Sequence, residues 1–146
     1  MRALTLNPQR RLVTTGIDAE TAERFAGRLL DTDVATLSPD AAAQASAPLL
    51  VVGADKEVAE LMRRAGFGAP PKNVAGKGDL RAWTAETDDG QIALAVAADA
   101  PDQLARSARV LPYYLRASWL VMQNGQLQAR GTWPTGANPL SRSFVE

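Results

Sequence analysis

The sequence predicts an α/β fold, a mixed β-sheet with helices packed against it, and three observations carry that expectation. A strand–glycine–aspartate–helix progression occurs twice in the first half, at "VTTGIDAETAERF" and "LVVGADKEVAELM". In the second half, apolar-rich segments are separated by hairpin turn residues. The composition, 46% hydrophobic and 22% charged over 146 residues, is that of an ordinary globular chain able to bury one core. Alternating strands and helices call for parallel strands with helical crossovers, and hairpins add antiparallel neighbours. Residues 1–146 read as a single domain with an irregular tail, about 133–146, rich in Pro, Gly, Ser and Asn.

The elements follow in order. Arg11–Thr15 is a strand, with two aliphatic residues and two β-branched threonines before the chain-reversing Gly16. Asp18 is placed to cap a helix reaching Leu30, whose apolar positions Ala22, Phe25, Ala26, Leu29 and Leu30 recur at three and four residues. Val34–Leu37 is a short strand, and Ser38-Pro39-Asp40 opens a short alanine-rich helix. Leu49–Val52, four branched aliphatics between Pro48 and Gly53, suits a central strand buried on both faces. Asp55 is expected to cap the next helix, which turns Val58, Leu61, Met62 and Ala65 inward and ends at a left-handed Gly66. After the proline-rich stretch 67–73, Leu80–Ala85 and Gln91–Ala97 form a hairpin about Thr87–Gly90. Asp99, Pro101 and Asp102 start a helix with Leu104, Ala108 and Leu111 inward, stopped by Pro112. Ala117–Met122 and Gln126–Arg130 form a second hairpin about Asn124-Gly125.

Composition removes several function classes. The chain has no His and no Cys, so disulfides, thiolate nucleophiles, Ser-His or Cys-His catalysis and His/Cys metal ligation are absent, and no metal or cofactor is expected. Chemistry is left to carboxylates, Lys, Arg, Tyr, Ser and Thr. Sixteen basic and sixteen acidic residues cancel without clustering, which argues against nucleic acid as a partner. No apolar run approaches the length of a membrane span, and no apolar stretch of signal-peptide length opens the chain.

The stretch "VAGKGDLRAW" (74–83) raises the question of phosphate binding, since Gly76 and Gly78 flank Lys77. A P-loop needs Gly-x4-Gly-Lys-Ser/Thr running into a helix. Here Pro71 stands five residues before Gly76, Gly78 follows Lys77, and a strand comes next, so the three residues read as a backbone turn into that strand. Asp88 and Asp89 read as solvated hairpin residues. Tyr113 and Tyr114, between Arg109 and Arg116, are the densest set of functional-looking side chains, and with Trp119 and Trp133 they are the candidates for an interaction surface.

"GKGDLRAWT", followed by "IALAVAADAPDQLARSARVLPYYLRASWLVMQNGQLQARGTWP" and "NPL", resembles the C-terminal accessory region of bacterial aminopeptidase N-type zinc metallopeptidases, the gluzincins. The likeness covers roughly residues 49–140 and departs at Tyr113-Tyr114-Leu115, where the family pattern is His-Tyr-Gly. The resemblance implies a non-catalytic module, because the His-Glu-x-x-His and Gly-x-Met-Glu-Asn motifs of the catalytic part do not occur in this chain. Its partner would be the catalytic region of a larger polypeptide, or a second copy in a homo-oligomer. The alternative is a small-ligand-binding domain or small enzyme with its site at the carboxyl ends of the strands, using Gly16, Asp18, Gly53 and Asp55.

Overall fold

The computed structural model describes residues 10–30, 35–38, 41, 47–108, 110–114 and 116–132. Trp133, the expected tail, Arg109, and most of the short helix expected after Ser38 lie outside them. Within them, seven strands form one mixed sheet in the order β2-β1-β3-β5-β4-β6-β7. The strands are β1 (Arg11–Thr15), β2 (Ala35–Leu37), β3 (Leu49–Ala54), β4 (Leu80–Glu86), β5 (Ile92–Ala98), β6 (Trp119–Gln123) and β7 (Gln126–Gly131). Three helices are described, α1 (Ala19–Leu30), α2 (Asp55–Arg64) and α3 (Pro101–Ser107), with a 3-10 turn at Leu111–Tyr114. β2, β1, β3 and β5 run parallel, while β4, β6 and β7 join antiparallel.

Side-chain alternation along β3 makes the layers. Leu50 and Val52 enter one core with Phe25 and Leu29 of α1 and Leu104 of α3. Leu49 and Val51 enter the other with Val58, Leu61 and Met62 of α2. A strand flanked by two parallel neighbours and covered on both faces has no wet side, which is why its sequence is an unbroken aliphatic run. The result is three layers, with α1 and α3 opposite α2.

The helix ends show how local chemistry sets boundaries. Asp18 caps α1: its carboxylate accepts from Thr21 N–H at 2.9 Å and from the Thr21 hydroxyl at 2.8 Å. Ser38 Oγ likewise accepts from Ala41 N–H at 3.2 Å. α2 ends as expected at a left-handed Gly66, φ 91°, with Gly66 N–H bonded to Arg63 O and Phe67 N–H to Met62 O. This 5→2 and 6→1 pairing satisfies two terminal carbonyls and drives Phe67 back onto the core.

One expected cap is corrected. Asp55 does not cap α2; Ala54 occupies that position without a side-chain bond, and Asp55 is the first helical residue. Its carboxylate is drawn away by a buried arginine. Asp99 does not cap α3 either: it lies one residue before the N-cap, Ala100, and its carboxylate is bonded to the same arginine. Pro112 does not stop α3 directly either, because α3 ends at Ser107 and Pro112 lies within the 3-10 turn.

The Asp18 carboxyl is held below its ordinary value, first by the Thr21 hydroxyl and then by the Thr21 backbone N–H. A depressed folded pKa gives a stabilisation that is complete above the unfolded value and lost as pH falls through the folded one. Asp18→Asn keeps a capping oxygen without the titration. Thermal melts of wild type and this variant should therefore differ most at neutral pH, and the difference should close as pH drops from about 3.8 downward.

Candidate functional site

β1, β3 and β5 end together at one rim of the sheet, and β4 begins there, so Gly16, Asp55, the 76–79 loop and Asp99 are brought to the same end. The strand order also reverses between β1 and β3, the kind of place where open α/β sheets hold ligands. At that point the two strands are packed tightly. A Cβ on Gly53 would strike the Thr15 carbonyl oxygen, and one on Gly16 would come within 2.9 Å of Ala54 Cβ and Glu57 Cγ. Gly16 and Gly53 thus serve close strand and helix approach, while Asp18 turns to Thr21.

Asp55 belongs instead to a cluster centred on Arg81, a residue sequence reasoning missed. Arg81 is only 2% exposed, yet its guanidinium is well supplied with acceptors. Nη1 donates to Asp55 Oδ1 at 2.5 Å, Nη2 to Asp99 Oδ1 at 3.0 Å and to Gly78 O at 2.9 Å, and Nε to Lys77 O at 2.9 Å. Two carboxylates offset the charge whose desolvation would otherwise be costly, and the planar fork suits several acceptors at once. The signal was present in the sequence: Arg81 lies on the same strand face as Trp83 in a buried strand, and an aspartate follows each of the two parallel strands β3 and β5.

The cluster fixes the Gly-Lys-Gly loop through its carbonyls. Val74, fully buried, plugs the α2-side core, and Lys77 N–H donates to Val74 O at 3.0 Å. Gly78, with φ 65°, lies so close to β6 that a Cβ would strike Met122 O and come within 2.5 Å of Val121 Cγ1. The loop is therefore held from both sides, leaving Lys77 exposed at its crest.

Beside it runs a groove of about 390 Å³ lined by Asn73, Lys77, Gly78, Trp119, Val121, Gln123, Gln128 and Ala129. A bulge shapes its far wall. Val121 pairs with Ala129 and Met122 with Leu127, which leaves Gln128 as the extra residue and turns it to the groove side with Ala129. The Trp119 ring rests on Gly131, where an added Cβ would lie 2.6 Å from it.

A second cavity, about 400 Å³, is lined by Arg116, Ala117, Arg130, Gly131 and Thr132. The two adjacent tyrosines part company here. Tyr114 packs against the core with the Arg130 guanidinium 5.2 Å from its ring centre, whereas Tyr113 stands 83% exposed. The hairpin aspartates Asp88 and Asp89 are exposed at the β4–β5 turn. Among the described residues no three Asp or Glu side chains converge as a metal site would require, and no helix is long and apolar enough to cross a membrane.

No family model, curated protein or solved structure matches the chain.

Proposed function

We propose that this chain is a non-catalytic docking module for a catalytic region, as the resemblance to metallopeptidase accessory regions implies, and that the surface it engages there is acidic. The observation that carries the reading is Tyr113, 83% exposed, close in the chain to Arg116, with Arg130 stacked on the neighbouring Tyr114. Tyrosine and arginine are the residue types that dominate interface energetics. The described lining of the adjoining cavity holds two guanidinium groups and no carboxylate, so its complement is acidic. Charge also argues against a second copy as the occupant. A two-fold interface sets a patch against itself, which would bring Arg116 and Arg130 against their own copies.

The test is titration of the labelled chain with a glutamate-rich peptide, followed by NMR. Saturable shifts at Tyr113, Arg116 and Arg130, weakened by salt and abolished by Arg116→Glu with Arg130→Glu, are expected. Equal response to a lysine-rich peptide, or indifference to the charge reversal, would sink the reading. Concentration-dependent dimerisation lost in Tyr113→Ala would replace the acidic partner with a second copy.

A further inference from the structure

We infer that the groove beside Lys77 is a second, small-molecule site, and that its ligand is the carboxyl-terminal end of a short peptide. The inference is independent of the docking reading, because the groove and the Arg116–Arg130 cavity share no lining residue.

An exposed lysine on a glycine-flanked turn would ordinarily be mobile, and here its own carbonyl and that of Gly78 are both bound by a guanidinium 2% exposed. That guanidinium is in turn oriented by Asp55 and Asp99, which are anchored at the ends of two parallel strands. Gly78 presses the same turn onto β6 from the other side. Such layered support is what a preformed site needs, since a group already held in place loses little freedom when a ligand arrives. The location is also the rim at which the parallel strands end.

The lining then defines the ligand. Lys77 is the one charged side chain among the lining residues, so the ligand carries a negative group. Asn73, Gln123 and Gln128 among the lining residues carry amides, groups with donors and an acceptor that can match the N–H and C=O of a peptide unit. Gln123 spends its amino group on Asp79 at 3.3 Å, leaving its carbonyl oxygen to accept from a peptide N–H. Trp119, Val121 and Ala129 supply an apolar wall for one small side chain. The volume, about 390 Å³, falls in the range of small-ligand clefts and accommodates a dipeptide. A phosphate fits less well, because the wall offers one cation and otherwise neutral amides and hydrocarbon.

The experiment is NMR titration of the full chain with N-acetyl-alanyl-alanine, its carboxyl-terminal amide, and glucuronate. Saturable shifts of the Trp119 indole N–H and the Gln123 and Gln128 side-chain amides are expected for the free acid. The amide, and the free acid with Lys77→Met, should bind about tenfold or more weakly, the loss of one charge-assisted hydrogen bond. Because Lys77 is exposed, this variant should fold as wild type does, and its unperturbed spectrum is the control. Equal binding of acid and amide, no saturation at millimolar peptide, or preference for glucuronate would each overturn the assignment. Shifts at Tyr113 and Arg130 with none at Trp119 would overturn it while leaving the docking reading intact.

Discussion

Arg81→Met is expected to lower the free energy of unfolding by about 3 kcal/mol, and Asp55→Asn with Asp99→Asn by about 5 kcal/mol, spanning the range for breaking a buried ion pair. The order follows from where the buried charge sits. Arg81 is 2% exposed, whereas the side chains of Asp55 and Asp99 are 39% and 55% exposed. When the guanidinium is removed, both carboxylates turn to water, and the principal loss is the hydrogen bonding of the Lys77 and Gly78 carbonyls. Methionine keeps most of the stem's packing. When the carboxylates are neutralised, the guanidinium remains buried with only neutral acceptors, and its desolvation is no longer offset. Urea titrations of the three proteins measure the difference. Equal losses, or the reverse order, would mean that the guanidinium reaches water and that the loop is not clamped by it. In Arg81→Met the Asp79 N–H, bonded to Met122 O at 3.0 Å, should exchange faster, and peptide binding in the groove should weaken even though Lys77 is intact.

The architecture was legible because it rests on local signals. An aliphatic run, two hairpin turns and a left-handed glycine after α2 each specify an element from a few neighbouring residues, and the mixed sheet follows from their succession. The Asn124-Gly125 turn, with φ 54° and 77°, is such a case. What stayed hidden depends on strand order. Arg81 finds Asp55 twenty-six positions away and Asp99 eighteen positions away because β5 lies between β3 and β4, and no pattern along the chain announces that. The groove is hidden for the same reason, since its walls come from the 73–78 loop and from β6 and β7. Asp55 misled as a cap because an aspartate just after a strand serves a cap and a cross-strand salt bridge equally well. The two tyrosines are adjacent in the sequence, and only packing separates the member that stacks under Arg130 from the member that faces solvent.

Gly53→Ala should be the most damaging single methyl addition among the described glycines. The new Cβ would collide with the Thr15 carbonyl, a backbone atom in the last pair of the β1–β3 ladder. A flexible side chain could swing aside; a peptide group between two buried strands cannot move without separating them, so the loss should exceed about 4 kcal/mol, the range of severe core overpacking. With roughly 3 °C of melting temperature per kcal/mol at this chain length, the transition should fall by more than about 12 °C. Gly27→Ala is the internal control: its Cβ would meet nothing within 4 Å on α1, and alanine there should raise stability by about 0.5–1 kcal/mol. Calorimetry of both variants also bears on function. The carboxyl ends of β1 and β3 are where a ligand contacting Gly16, Asp18, Gly53 and Asp55 would have to lie. If Gly53→Ala melts within a few degrees of wild type, those strand ends are loose enough to admit a ligand, and a site at the reversal of strand order regains its physical basis. A collapse in stability means that the space is taken by the β1–β3 backbone contact, which leaves the Lys77 groove as the open part of the same rim.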